Sequence, residues 1–261
     1  MVGDADRLRA ARHQAILLPG AVLPAALAYE GLLGALAGAD VDAIAKNLEV
    51  YAAAQPPPDY SLELEVEGAL RAAEAAGFER FHAVGYSAGG ASVAALAAGH
   101  PDRVRSLALL EPAWIGDDGR GPAEDRVWRE LQRIGSAPPD QMLPRFVRAQ
   151  LADGVDPPPP PAGPPPPWMA LRPAGIRAVM AAFERHPLDA DGLRGFGGPV
   201  LFVLGGRSNP DLYRELAARA ERRFGDFTLE VFEDRHHFDP PHRAEPERLA
   251  RSLRRLWERA A

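Results

Sequence analysis

The chain has 261 residues, 46% of them hydrophobic and 25% charged, no cysteine, and a formal net charge of -6. That length predicts one α/β domain with room for a smaller insertion, and the hydrophobic share supplies an ample core. The acidic balance offers no basic footprint for nucleic acid, and the absence of cysteine excludes disulfides, thiol nucleophiles and cysteine-held metals.

Residues 1–14 read as a polar lead-in with a possible short helix. Met1 to Arg12 are charged and have no apolar centre, which predicts no secretory signal and a cytoplasmic protein. No apolar run reaches membrane-spanning length. Ala15-Ile16-Leu17-Leu18, closed by Pro19-Gly20, predicts a buried parallel strand. A helix is expected over about 25–37 from the stripe Leu27, Leu32, Leu33 and Leu36, then a weak strand over Val41–Ala45. The prolines at 56, 57 and 58 make a loop, because each removes a donor and forbids helix. Ser61 to Gly77 predicts a helix with Leu62, Val66, Leu70 and Ala73 on one face. Its early turns carry Glu63, Glu65 and Glu67, where the helix dipole favours acid.

Phe81 to Leu96 organises the chain. It begins as an apolar strand, passes through Gly85-Tyr86-Ser87-Ala88-Gly89, and continues as an Ala-rich helix. A nucleophilic serine needs such a corner. Gly85 and Gly89 have no Cβ, so strand and helix can close around the turn, and the free N–H groups of the helix start face developing negative charge. Gly99 to Asp102 stops that helix, and Val104–Leu110 predicts a strand ending at Glu111-Pro112. From 113 to 196 the alternation lapses. This stretch holds three of the four tryptophans, helical pieces near 123–134, 143–151 and 172–186, and nine prolines in the eleven residues 157–167, read as extended or disordered. Alternation resumes with a strand at 199–204, a helix at 211–223, a strand at 228–232 and a closing helix at 245–259. Six strands alternating with helices imply a mostly parallel sheet covered on both faces, interrupted by an excursion at the carboxyl ends of its strands.

With the Gly85–Gly89 elbow, the Leu-Leu-Pro-Gly turn after the first strand, the lid-like insertion and a late histidine, the chain resembles the α/β-hydrolase family, serine esterases and lipases in particular. The resemblance implies an α/β-hydrolase core from 1–112 and 197–261, with 113–196 as a lid carrying the proline loop. It also implies hydrolytic chemistry with no cofactor and no metal. The sequence departs from the family at three places. Pro19-Gly20 replaces the usual His-Gly. Ser208 stands where the usual acid follows the penultimate strand. The short lead-in leaves no room for the usual opening hairpin.

Ser87 is the candidate nucleophile. A base must take its proton, and imidazole suits neutral pH. Of seven histidines, His236, His237 and His242 follow the last strand; the family's habit of a histidine before an apolar residue selects His237, ahead of Phe238. The base needs a carboxylate. Ser208 cannot supply one; Glu111, ending the strand after the elbow's strand, can, and some family members place their acid there. Asp211 is the alternative. The N–H groups of Ala88 and Ala21 are the expected oxyanion donors, and Gly20, Tyr86 and Trp114 the expected substrate contacts. The tryptophans of the insertion either face the cleft or form a core of their own. The expected substrate is a small apolar carboxylic ester. The same groups also serve C–C, lactone, amide or peracid chemistry, and a catalytically impaired binding or sensor protein is the reading from another class.

Overall fold

The computed structural model describes residues 13–38, 40–159, 163–186, 188 and 190–260. The lead-in over 1–12 and the middle of the proline tract, 160–162, lie outside them. Strands β1 (His13–Leu18), β2 (Val41–Ala45), β3 (Phe81–Tyr86), β4 (Val104–Leu110), β5 (Val200–Gly205) and β6 (Phe227–Phe232) form one sheet in the order β2-β1-β3-β4-β5-β6. Every neighbouring pair is parallel, so the sheet is wholly rather than mostly parallel among the described residues.

The strands alternate their side chains between two apolar layers. Ile16, Leu18, Leu107, Leu109 and Phe202 enter one; Leu17, Ala108, Leu110, Leu201 and Val203 enter the other. Helix α1 (Ala25–Leu36) and, after the short α9 (Pro241–Ala244), α10 (Pro246–Arg259) close the second layer through Tyr29, Leu32, Leu249, Leu253 and Trp257. Helices α2 (Leu62–Ala75), α3 (Ala88–Gly99) and α8 (Pro210–Arg223) close the first. Eleven of the twelve residues of α3 are buried, and nine of the twelve are alanine or glycine, whose small size lets neighbours pack close on all sides.

Between β4 and β5 lie α4 (Pro122–Gly135), α5 (Pro139–Ala149), a 3-10 turn at Pro167–Leu171, α6 (Arg172–Arg185) and the short α7 (Ala190–Gly195). Helix α5 starts at Pro139, not near Leu143, because proline at a first helical position loses no bond that was there to lose. It also ends before Leu151, which bridges to Ser208 instead. The expected extended tract ends in the 3-10 turn, and α7 is too short to show a period that sequence reading could detect. Trp114, Trp128 and Phe183 belong to the sheet's own first layer rather than to a separate core. Helix α8 ties the segment down: Arg219 pairs with Glu124 at 2.5 Å, and Arg223 donates to the carbonyls of Ile115 and Asp118.

The chain winds one way from β1 to β2 and the other way from β3 onward. The carboxyl ends of β1 and β3 are therefore neighbours at the point where winding reverses, the place where such sheets leave an open crevice.

Candidate active site

Ser87 joins β3 to α3 with φ 53° and ψ -116°. Its N–H donates to the Leu110 carbonyl at 3.1 Å, and its own carbonyl accepts the Ala113 N–H at 2.9 Å. A Cβ on Gly85 would run into the Gly89 carbonyl, and one on Gly89 into the Leu18 carbonyl, so the corner closes only with glycine at both places. Glu111 repeats the feature after β4, with φ 43°. Ser87 and Glu111 are the only two described non-glycine residues with positive φ, a strain that persists only where the surroundings enforce it. The enforcement at Glu111 is visible: its N–H donates to the Val203 carbonyl at 3.0 Å and its Oε1 accepts the Gly205 N–H at 2.9 Å.

His237 reaches both side chains. Its Nε2 lies 3.1 Å from Ser87 Oγ and its Nδ1 lies 3.1 Å from Glu111 Oε2. All three residues are buried, at 6%, 1% and 2% exposure for Ser87, His237 and Glu111. The imidazole is clamped. The Tyr213 ring stacks on it at 4.8 Å, the Tyr86 ring lies at 4.9 Å, and the Tyr86 hydroxyl donates to the His237 carbonyl. His236 is occupied elsewhere, its Nδ1 accepting the N–H groups of Phe238 and Asp239 at 3.1 Å. Asp211 is at the surface, 3.4 Å from Arg126. Ser208 is buried, and its hydroxyl has no partner among the described residues.

The turn after β1 abuts the elbow. The Pro19 carbonyl accepts the Gly89 N–H at 3.0 Å, and a Cβ on Gly20 would press on the Tyr86 ring. Among the described residues neither the Ala21 nor the Ala88 N–H has an acceptor. Both alanines, with Ser87, line an apolar cavity of about 30 Å³. Its opposite wall comes from α4, α5 and α6, through Trp128, Phe146, Ile176, Met180 and Phe183. Trp114 is not in that wall; its ring stacks on Phe183 at 5.5 Å. Tyr86 is not in it either, and Gly20 lines a neighbouring cavity. Among the described residues no three His, Asp or Glu side chains gather to hold a metal ion, and no helix is long and apolar enough to cross a membrane.

A family profile described as the alpha/beta hydrolase fold matches residues 36–154. A carboxylesterase structure from the thaumarchaeon Nitrososphaera gargenis superposes with a TM-score of 0.72 at 15% identity, covering 95% of this chain and 90% of that one. The chain has the α/β-hydrolase fold. A thermophilic esterase from Thermogutta terrifontis has the same hydrolase fold, with a TM-score of 0.70, 17% identity, and coverage of 95% and 90%. A curated relative, the pyrrolizixenacetamide deacetylase of Xenorhabdus hominickii, is 36% identical over 92 residues. That match spans 33% of this chain and about a third of the relative's length, 35%.

Within this hydrolase fold two site residues carry no sequence signal. Tyr213 stacks on His237 from the first turn of α8 and donates its hydroxyl to Gln150 at 2.7 Å. Tyr51 donates to the Ala21 carbonyl at 2.6 Å and so steadies the turn after β1. Both are isolated tyrosines outside any motif, and only the folded chain shows what their hydroxyls meet.

Proposed function

We propose that the chain is a serine hydrolase that cleaves a small apolar carboxylic ester through an acyl-enzyme intermediate. What carries this reading is the run of two 3.1 Å contacts from Ser87 through His237 to Glu111. The Ser87 oxygen attacks the ester carbonyl carbon while His237 Nε2 takes the hydroxyl proton. Glu111 holds the imidazole's orientation and balances its charge. The N–H groups of Ala21 and Ala88 receive the oxyanion; each such donor lowers the barrier by about 3 kcal/mol. His237 returns the proton to the departing alcohol, and water then frees the acid by the same path. The segment 113–196 is the lid of this enzyme, its apolar wall over Ser87 favouring an apolar acyl group. The small free volume favours a short one.

The test is labelling by a fluorophosphonate, with hydrolysis of p-nitrophenyl esters of graded chain length. Wild-type protein takes the label and prefers short acyl chains; Ser87→Ala does neither. Well-folded wild type that neither labels nor hydrolyses any ester overturns the reading. The same groups acting on an amide is the second reading, supported by the name of the curated deacetylase. Cleavage of p-nitroacetanilide faster than p-nitrophenyl acetate would favour it.

A further inference from the structure

A second cavity, of about 130 Å³, abuts the turn after β1, with Pro19 and Gly20 in its wall together with Asn47, Tyr51, Trp168 and Arg172. Arg172 is the unusual member. It opens α6, is only 3% exposed, and its guanidinium lies 3.8 Å over the Tyr51 ring and 4.9 Å from the Trp168 ring. Its Nε is buried and meets no acceptor, and no carboxylate of the described residues comes within ion-pair distance. A guanidinium is charged at any ordinary pH. Burying it without an anion is costly, and two aromatic faces offset only part of that cost.

The groups around it do not supply the missing charge. Burial pushes the Tyr51 hydroxyl up to about 12, so it is a neutral phenol. Glu65, buried on α2, is committed to the N–H groups of Glu49 and Val50 and to the Tyr60 hydroxyl. Asn47 is held in place by accepting the Ala25 N–H at 2.8 Å through Oδ1, which leaves its Nδ2 as a second donor in the same wall. Helix α6 links this cavity to the one at Ser87. Ile176, one turn beyond Arg172, and then Val179, Met180 and Phe183 line the Ser87 cavity. Tyr51, in the wall of the second cavity, packs against Gly175 and donates to the carbonyl of Ala21, which lines the Ser87 cavity.

We propose that Arg172 and Asn47 receive a carboxylate carried by the substrate, so that the ester cleaved is a monoanion. Its scissile carbonyl lies at Ser87, its apolar portion runs along α6, and its charged end lies against Arg172. The inference rests on the acyl-transfer reading above, and its test separates the two. Ser87→Ala protein is titrated calorimetrically with the monoethyl esters of succinate, glutarate, adipate and suberate and with the corresponding diethyl esters. At least one monoanion binds about tenfold or more tightly than its diester, as a charge-assisted hydrogen bond requires. The preference disappears in Ser87→Ala/Arg172→Met. No preference for any monoanion overturns the inference, a result that needs no Arg172 variant to fold. Acetate binding as tightly as the best monoester also overturns it, marking a site for a free anion. A clear preference in a protein whose wild type hydrolyses no ester leaves the carboxylate site standing and removes the acyl-transfer reading alone.

Discussion

Glu111 and His237 meet across 126 residues of chain, Oε2 to Nδ1 at 3.1 Å, while the other oxygen of the same carboxylate is fixed by the Gly205 N–H. The carboxylate is thus held by the main chain of β5 as well as by its own strand. It can orient an imidazole without rotating away.

Glu111→Gln keeps the shape and the bond from Gly205 but removes the charge that balances the imidazolium. We expect kcat to fall about 10³- to 10⁴-fold, with circular dichroism and melting temperature little changed. Asp211→Asn, at the surface beside Arg126, is expected to stay within about twofold of wild type. Steady-state kinetics on one p-nitrophenyl ester checks both; equal losses would remove Glu111 from the proposed role.

Tyr86→Phe removes the hydroxyl that donates to the His237 carbonyl and leaves the ring packed against the imidazole. The loop bearing the proposed base then loses a tether. kcat should drop about tenfold with KM nearly constant, since the tether sets base position rather than substrate contact. A rise in KM with unchanged kcat would instead place the tyrosine in substrate binding.

Gly89→Ala puts a methyl group into the Leu18 carbonyl at the crossing of α3 and β1. Backbone must move on one side, and a loss of about 3–5 kcal/mol is expected by urea titration. Gly99→Ala, at the end of the same helix with open space around it, serves as the tolerated control.

Acid should destabilise the protein well above the carboxylate range. Burial pushes His82 and His242 down to about 3, so both are neutral in the fold. The unfolded chain protonates each near 6.5, so between about 6.5 and 3 it binds more protons than the native state. Their contribution is complete above pH 6.5 and is lost at about 1.4 kcal/mol per pH unit for each histidine as pH falls. His242 lies between the Tyr29 and Tyr86 rings with no hydrogen-bond partner for either nitrogen among the described residues, and the neighbouring Arg243 and His237 disfavour its charging further. His242→Phe should flatten melting temperature against pH between 6.5 and 4.5; an unchanged slope would show that other groups carry it.

The layers, the strand-to-helix corner at Ser87 and the number of strands are legible in the order of residues alone. These follow from local patterns: short apolar runs, helical stripes, prolines that stop elements, and glycines where backbones must touch. The start of α5 and the existence of α7 escaped because proline-rich and very short helices leave no period to read. The folded chain was needed to show that His237 turns toward Ser87, that Glu111 rather than Asp211 meets that histidine, that Tyr86 and Trp114 stand outside the cavity wall, and that Arg172 is buried without an anion. Most of these matters depend on contacts between residues far apart in the chain, 150 positions for Ser87 and His237. Local pattern says which residues an element offers; only the winding of the sheet says which of them share a crevice.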